Sequence, residues 1–436
     1  MRSIIRLTMI LLACQFGLSN LTNGQEWSSF QNGGKPVSID VNIPTQWKPD
    51  SGIEWELDLP GYGQSSPVVF EDLVYVTSVT GDNKETLNIQ AINIADGKQA
   101  WIFNRLNTSP EKNTVMVSRA APTPVADKNG VIAFFEGGNL VALDHAGKMR
   151  WERDLKEEFG KLGARHGLAS SLEQTEEHVF VWCERMEDPF VLGINKSDGS
   201  TVWKVPGLGS TSWGSPRLIE LEGETHLVLS AMGLVVGMDP QTGDRLWEFS
   251  QLAGNSSSTP MDLGDGKILL GAMGSRSGGP AEPSNGVIEV KKTEQGYEAD
   301  WVWTAPKATC SFGSPIAHEG RAYFVNRTGI VHCHSIATGE PLFVDRLPSG
   351  SIWATPLVSK NGIYFFGKDG VTTILKPSDK LEIASDNSIL EEDSQKPAAA
   401  SGPGASFSGT VLYAAAVAKD KLLIRFGEKL FAVTKE

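Results

Sequence analysis

Cysteine is scarce in this chain, with four in 436 residues, and one of them, Cys14, falls near the amino terminus. The other three, Cys183, Cys310 and Cys333, are an odd number, which argues against a disulfide framework. Basic residues are also short. There are 39 Lys and Arg against 52 Asp and Glu, a formal net charge of −13. That balance excludes nucleic acid and anionic membrane surfaces as general partners. The apolar run LTMILLACQFGL is interrupted at Gln15 and stops at Ser19. It is shorter than the ~20 apolar residues a spanning helix needs, so no membrane span is expected. No P-loop, nucleophile elbow or zinc-protease helix is present. His332 and His334 flank Cys333 on one face of a strand-like run but have no third ligand, so the pair reads as structural and no metal site is expected. What the chain has in quantity is glycine, 46 residues, and proline, 23, with only 21% charged residues. This composition suits a turn-rich all-β protein.

Residues 1–24 read as a signal peptide: Arg2 and Arg6, an apolar stretch, then the small-residue exit Thr22-Asn23-Gly24 before Gln25. A second possibility stays open, because Leu11-Leu12-Ala13-Cys14 resembles a lipoprotein cleavage box with Cys14 as the lipidated residue. The expected location is the periplasm or outside the cell, while lipidation at Cys14 would instead place the protein on a membrane leaflet. Residues 25–50 are expected to form a leader wrapped over one face, and residues 51–436 a single domain.

That domain is repetitive. Its plainest unit, LVVGMDPQTGDRLW, runs from Leu234 to Trp247: a short apolar strand, Asp239, a turn at Gly243, and Trp247 four residues later. The same arrangement occurs as Ala91, Asn93, Gly97 and Trp101, as Ala142, Asp144, Gly147 and Trp151, and as Gly193, Asn195, Gly199 and Trp203. Worn copies end at Phe343 and Ile383. Asp or Asn can bond the turn backbone, Gly admits positive φ, and the aromatic opens the next strand where a large ring can pack between units. A second marker has the same period. Ser66-Pro67, Thr123-Pro124, Ser215-Pro216, Thr259-Pro260, Ser314-Pro315 and Thr355-Pro356 each precede an apolar strand, with degenerate copies at Ser171-Leu172 and Ala414-Ala415. Eight units of four short strands follow, spaced roughly forty to sixty residues apart, the signature of propeller blades.

The motif A-x-[DN]-x-x-[TD]-G-x-x-x-W with small-Pro blade starts resembles the tryptophan-docking repeat of the PQQ-type eight-bladed β-propellers. That superfamily holds both quinoprotein alcohol dehydrogenases and BamB-like outer-membrane assembly proteins. The resemblance implies an all-β, eight-bladed propeller with four-stranded blades over nearly all of residues 50–436. Gly52 to Leu59, GIEWELDL, is a strand without a blade of its own, and the last unit lacks one strand. The amino-terminal strand is therefore expected to close the last blade, which leaves no open sheet edge. Trp55, Trp101, Trp151, Trp203 and Trp247 are the expected docking residues.

In propellers the loops entering the innermost strands rim the central channel. The residues there, Tyr62, Gln64, Arg119, His166, Trp213, Asn255, Phe312, Trp353 and Phe407, make a ring of aromatic and polar groups suited to a ligand pocket. Quinoprotein dehydrogenases hold PQQ against adjacent cysteines with a calcium on Glu and Asn and an Asp base. This sequence has no Cys-Cys pair and no haem-attachment C-x-x-C-H, so no cofactor and no catalytic residue are expected. The resulting expectation is a non-catalytic extracytoplasmic scaffold, a monomer that recognises protein or peptide partners of the cell envelope through rim loops. The alternatives are a PQQ-dependent dehydrogenase and a binder of a small ligand or carbohydrate in the central funnel.

Overall fold

The computed structural model describes residues 26–35, 37, 39–114, 117–209, 212–273, 284–391 and 411–435. The signal-peptide reading, Cys14 and Phe407 lie outside these residues.

Eight antiparallel four-stranded sheets follow one another along the chain. Seven are continuous in sequence: blade 1 over 68–106, blade 2 over 125–154, blade 3 over 173–206, blade 4 over 217–249, blade 5 over 261–304, blade 6 over 316–346 and blade 7 over 357–388. Blade 8 takes its three inner strands from Leu412–Ala418, Lys421–Phe426 and Lys429–Val433 and its outermost from Ile53–Asp58. The amino-terminal strand thus closes the ring, pairing antiparallel with Lys429–Val433. The only α-helix among the described residues is the short Leu155–Phe159, capped by Asp154, whose carboxylate accepts from the backbone N–H of Lys156 and Glu157.

Burial explains the sequence pattern. Middle strands are buried on both faces and read as unbroken apolar runs, such as Gly130–Phe134 and His178–Cys183. Outermost strands alternate, with one buried aromatic among exposed neighbours, as Trp203 within Thr201–Pro206. Each of these aromatics reaches the next blade. The indole N–H of Trp55 donates to Ile94 O at 3.0 Å, Trp101 to His145 O at 2.7 Å, Trp151 to Lys196 O at 2.9 Å and Trp203 to Pro240 O at 3.1 Å. The receiving carbonyl lies in the following blade's turn, and the turn glycine lets the ring lie flat on it. At Gly97, φ is +69°, and a Cβ would stand 2.6 Å from the Trp55 ring. The side chain of the motif acid builds that turn, as when Asp144 accepts from the N–H of Ala146 and Lys148. Trp303, absent from the expected set, makes the same bond to Ile336 O at 2.7 Å.

Trp247 differs from this pattern. Blade 5 presents a long hairpin turning at Thr293–Gly296 where the others have the Asp-Gly turn. The Trp247 indole N–H donates instead to Nδ1 of His226 in its own blade, 3.0 Å away, while Tyr297 of blade 5 meets His226 edge-on. An accepting Nδ1 requires a neutral imidazole. Burial lowers the His226 pKa below its ordinary 6.5, against the opposing pull of Glu224. The unfolded chain therefore binds this proton more readily than the folded one. The stability contributed by the group is complete above pH 6.5 and is lost as pH falls through the folded value. Urea midpoints are expected to drop between pH 7 and about 5, and His226→Gln is expected to flatten that slope. An unchanged slope in the variant would assign the pH dependence to other groups, His318 and His332 being lowered by burial in the same way.

The small residue at each blade start has a structural purpose. Its backbone N–H donates to the hydroxyl of the corresponding residue in the next blade: Ser66 to Thr123, Thr123 to Ser171, Ser171 to Ser215, Ser215 to Thr259, Thr259 to Ser314 and Ser314 to Thr355, at 2.9–3.2 Å. This belt of hydroxyls stops at blade 8, where Ala414 has no hydroxyl to offer. There the join to blade 1 is made by Arg425, whose buried guanidinium donates to Ser65 Oγ at 2.8 Å and to Thr77 O at 2.6 Å.

The leader occupies one end of the channel. Trp27 exchanges two backbone hydrogen bonds with Val69 on the innermost strand of blade 1, and Ser28 O accepts from Ala126 N on that of blade 2. Phe30 O and the Gln31 side chain accept from Arg217 of blade 4. Further on, Ile43 and Trp47 are buried against blades 7 and 8, Pro44 O accepts from the Tyr364 hydroxyl, and the Trp47 N–H donates to Asn387.

Candidate functional site

The strands alternate in direction, so two sets of loops share one face of the ring: the loops entering innermost strands and the turns joining second to third strands. The tryptophan-bearing turns lie on the opposite face. On the first face the channel opens into a funnel of about 1240 Å³. Ser66, Thr123, Ser171, Ser215 and Thr355 of the hydroxyl belt line it, together with Phe30 of the leader. Beyond the belt the leader leaves a cavity of only about 80 Å³, bordered by Trp27, Phe30, Gln31 and the blade-start prolines Pro260, Pro315 and Pro356. The funnel is therefore a dead end.

Five of the rim residues named from sequence border the funnel: Gln64, His166, Trp213, Phe312 and Trp353. The others do not. Asn255 is fully buried, its amide accepting from Gly233 N and donating to Ser230 Oγ and Leu234 O, so it holds a neighbouring turn. Arg119 is also buried, its guanidinium stacked 3.4 Å from the centre of the Tyr62 ring. Tyr62 itself is consumed by that stack and by a backbone bridge to Val79.

The rim loop bearing Arg119 is pinned from below by a buried ion pair. Lys84 Nζ lies 3.0 Å from Glu136 and donates to Ser118 O, while the second Glu136 oxygen accepts from Ala120 N. Burial pushes the Glu136 carboxyl up, and Lys84 beside it draws it back down. Gln64 completes the clamp by accepting from Arg119 N at 2.8 Å. Ala120 and His166 both have left-handed backbone, φ 47° and 66°, strain of the kind that structures hold at functional rims.

The wall chemistry is one-sided. Phe312, Trp353 and Tyr413 from blades 6, 7 and 8 form an aromatic arc, with ring centres 4.6 and 6.1 Å apart. Trp213 stands beside His166 at 6.1 Å. Arg165 and Arg327 are exposed lining residues, and no acidic partner for either guanidinium is found among the described residues. No Asp or Glu occurs among the described residues of the wall, in a chain with 52 of them. Arg327, Met232, Met273 and Tyr413 escape a reading confined to the residues just before blade starts. The second-to-third-strand turns were the available signal, since Met232 and Arg327 sit in two of them.

The residues present do not fit PQQ as quinoprotein dehydrogenases hold it. Cys183, Cys310 and Cys333 are buried, separate thiols, and burial pushes Cys310 and Cys333 up to about 12. With no carboxylate on the described wall, neither a calcium set nor an Asp base can be assembled there. His334 is stacked on Trp303 and its Nδ1 bonds Gly339 O, so it packs a blade junction. No cluster of three candidate metal ligands exists among the described residues.

The fold resembles that of several solved proteins. BamB from Moraxella catarrhalis superposes with a TM-score of 0.60 at 15% identity, covering 88% of this chain and 97% of that one. Quinohemoprotein alcohol dehydrogenase from Comamonas testosteroni gives 0.60 at 10% identity, over 94% and 81%. The quinohemoprotein alcohol dehydrogenase ADHIIG from Pseudomonas putida HK5 gives 0.54 at 11%, over 94% and 80%. At these identities the likeness concerns the fold alone. No curated protein matches the chain in sequence. The family model described as outer membrane protein assembly factor BamB matches residues 45–167 and 147–268, together just over half the chain. With that match lying on the repeats that build blades 1 to 4 and covering more than half of the chain, the chain belongs to the BamB family of PQQ-repeat propellers.

Proposed function

We propose that this protein is a non-catalytic binding scaffold of the cell envelope that recognises protein or peptide partners at the funnel face. The observation that carries this reading is the funnel itself: wide, closed at its base, lined by aromatic rings and unpaired cations, and free of carboxylate among its described residues. Such a wall has groups that bind and orient, with no nucleophile–base pair or metal set to drive a reaction. Membership of a family described by outer-membrane assembly supports an envelope partner, as does the signal-peptide pattern of residues 1–24.

Site-specific photocrosslinking in intact cells tests this. A benzoylphenylalanine at Ser257, on the funnel wall, is expected to give one discrete protein adduct. The same probe at Met149, exposed beside a turn on the opposite face, is expected to give none. Equal adducts at both positions, or none at Ser257, would defeat the assignment of recognition to the funnel.

A further inference from the structure

We infer that the funnel receives the free carboxy-terminal end of an extended polypeptide, the carboxylate meeting Arg165 or Arg327 and the last side chain entering the Phe312–Trp353–Tyr413 arc. This rests on the binding reading above and specifies its ligand.

Three features point to a chain end. The first is the closed base. The hydroxyl belt and the leader below it leave about 80 Å³ beyond the funnel, against about 1240 Å³ within it. A strand cannot thread such a channel, so a chain that enters must end there or fold back, and an end fills the space without the cost of a reverse turn. The space also exceeds the roughly 300–1,000 Å³ usual for small-molecule pockets, which suits several residues of peptide.

The second is the division of the wall. A chain terminus combines one fixed negative charge with an adjacent side chain, and this wall offers both complements. Arg165 of blade 3 and Arg327 of blade 6 carry guanidiniums that no described carboxylate engages. A guanidinium grips a carboxylate through two parallel hydrogen bonds, a geometry that an amide cannot match. Because the wall has no acid among its described residues while the whole chain is net −13, the funnel is a local positive region in a negative body. An anionic end is thereby drawn inward and repelled elsewhere.

The third is the packing of the rings. Phe312 lies tilted at 38° to Trp353, and Tyr413 meets Trp353 edge-on at 76°. Trp353 is held by a bond from its indole N–H to Ser351 Oγ, which in turn donates to Arg327 O. The rings thus make a fixed apolar cleft rather than the flat platform a sugar face would stack on. The same bonds tie the backbone of Arg327 to the cleft, so the cation is anchored beside the rings at its base while its guanidinium stays free to meet a ligand. Ser256, Ser257 and Ser311 on the wall can serve the peptide groups between them.

The test uses the full chain and fluorescein-labelled hexapeptide pools with a Phe, Leu or Met last residue and otherwise uncharged positions. Each pool is made as the free acid and as the carboxamide, and anisotropy is read at two salt concentrations. The free acid is expected to bind about tenfold or more tightly than the amide, with the difference shrinking in high salt. Arg165→Ala with Arg327→Ala should erase the difference without shifting the melting temperature, since both side chains are exposed and unpaired. Trp353→Ala should weaken acid and amide pools alike. Equal affinity for acid and amide would overturn the chain-end inference while leaving peptide binding intact. Failure of every peptide to bind, with tight binding of a uronate oligosaccharide instead, would overturn both the inference and the function it rests on.

Discussion

Removal of residues 26–60 is expected to abolish the cooperative fold and to give an aggregating protein. The segment supplies the outermost strand of blade 8, so its loss exposes Lys429–Val433 as a free edge. An unpaired strand edge is a template for intermolecular pairing. The Trp55 indole is lost from the Gly97 turn, which opens the blade 8–blade 1 junction. Trp27, Ile43 and Trp47 are lost as well, all buried in the core that joins blades 7, 8 and 1. Burial of one large apolar side chain contributes about 1.5–3 kcal/mol. Four such residues together rival the total stability of a typical domain, about 5–15 kcal/mol. Gel filtration and thermal unfolding of the chain with and without the segment decide the matter. A monomeric truncation with a sharp melting transition would mean that three strands suffice for blade 8, and that the closing strand is dispensable.

The second large effect is expected from Arg425→Met, at about 2–4 kcal/mol of lost stability. Arg425 is the penultimate residue of an apolar strand, 1% exposed, at a junction that the hydroxyl belt does not span. Burial lowers its pKa to about 9, so it remains charged at neutral pH. The cost of burying that charge is offset by donation to Ser65 and Thr77 of blade 1. Thr77 lies beyond the register of the three-residue strand Val68–Phe70, whose partners are Leu73 to Tyr75, so its carbonyl takes the guanidinium in place of a ladder partner. Methionine keeps much of the volume and removes the donors. Two buried acceptors are left without partners, at about 1–3 kcal/mol each. The shift in urea midpoint at constant slope measures it. A variant as stable as the parent would show that the desolvation of the guanidinium cancels its hydrogen bonds, as happens for some buried charges.

These two positions differ in how much of their role could be read from sequence. The closing strand was legible, because GIEWELDL alternates with period two and has no partner nearby, while the last unit is one strand short. Arg425 was not. Within KLLIRF it looks like an ordinary charge at a strand end, and its partners Ser65 and Thr77 lie some 350 residues away in the chain.

The same division runs through the molecule. Sequence alone determined the blades, their four strands and most of the turn chemistry, since each is set by residues within about ten positions of one another: alternation, an Asp or Asn, a glycine at positive φ, a ring four residues on. The closure was legible because the first strand and the last unit are each locally incomplete. Tertiary structure decided which rim residues face the funnel. Arg119, named from sequence, is stacked under Tyr62 in a loop clamped by Gln64, Lys84 and Glu136, whereas Arg327, in a turn that the sequence reading passed over, is exposed on the wall. It decided equally that Trp247 bonds His226 rather than the next blade, because the neighbouring blade turns by a long hairpin. Above all it decided that the channel is closed at one end, by bonds from Arg217 to Phe30 and Gln31 that span more than 180 residues. Side-chain direction at a rim depends on what the adjacent blades leave unfilled, and that is a property of the closed ring, not of any local stretch.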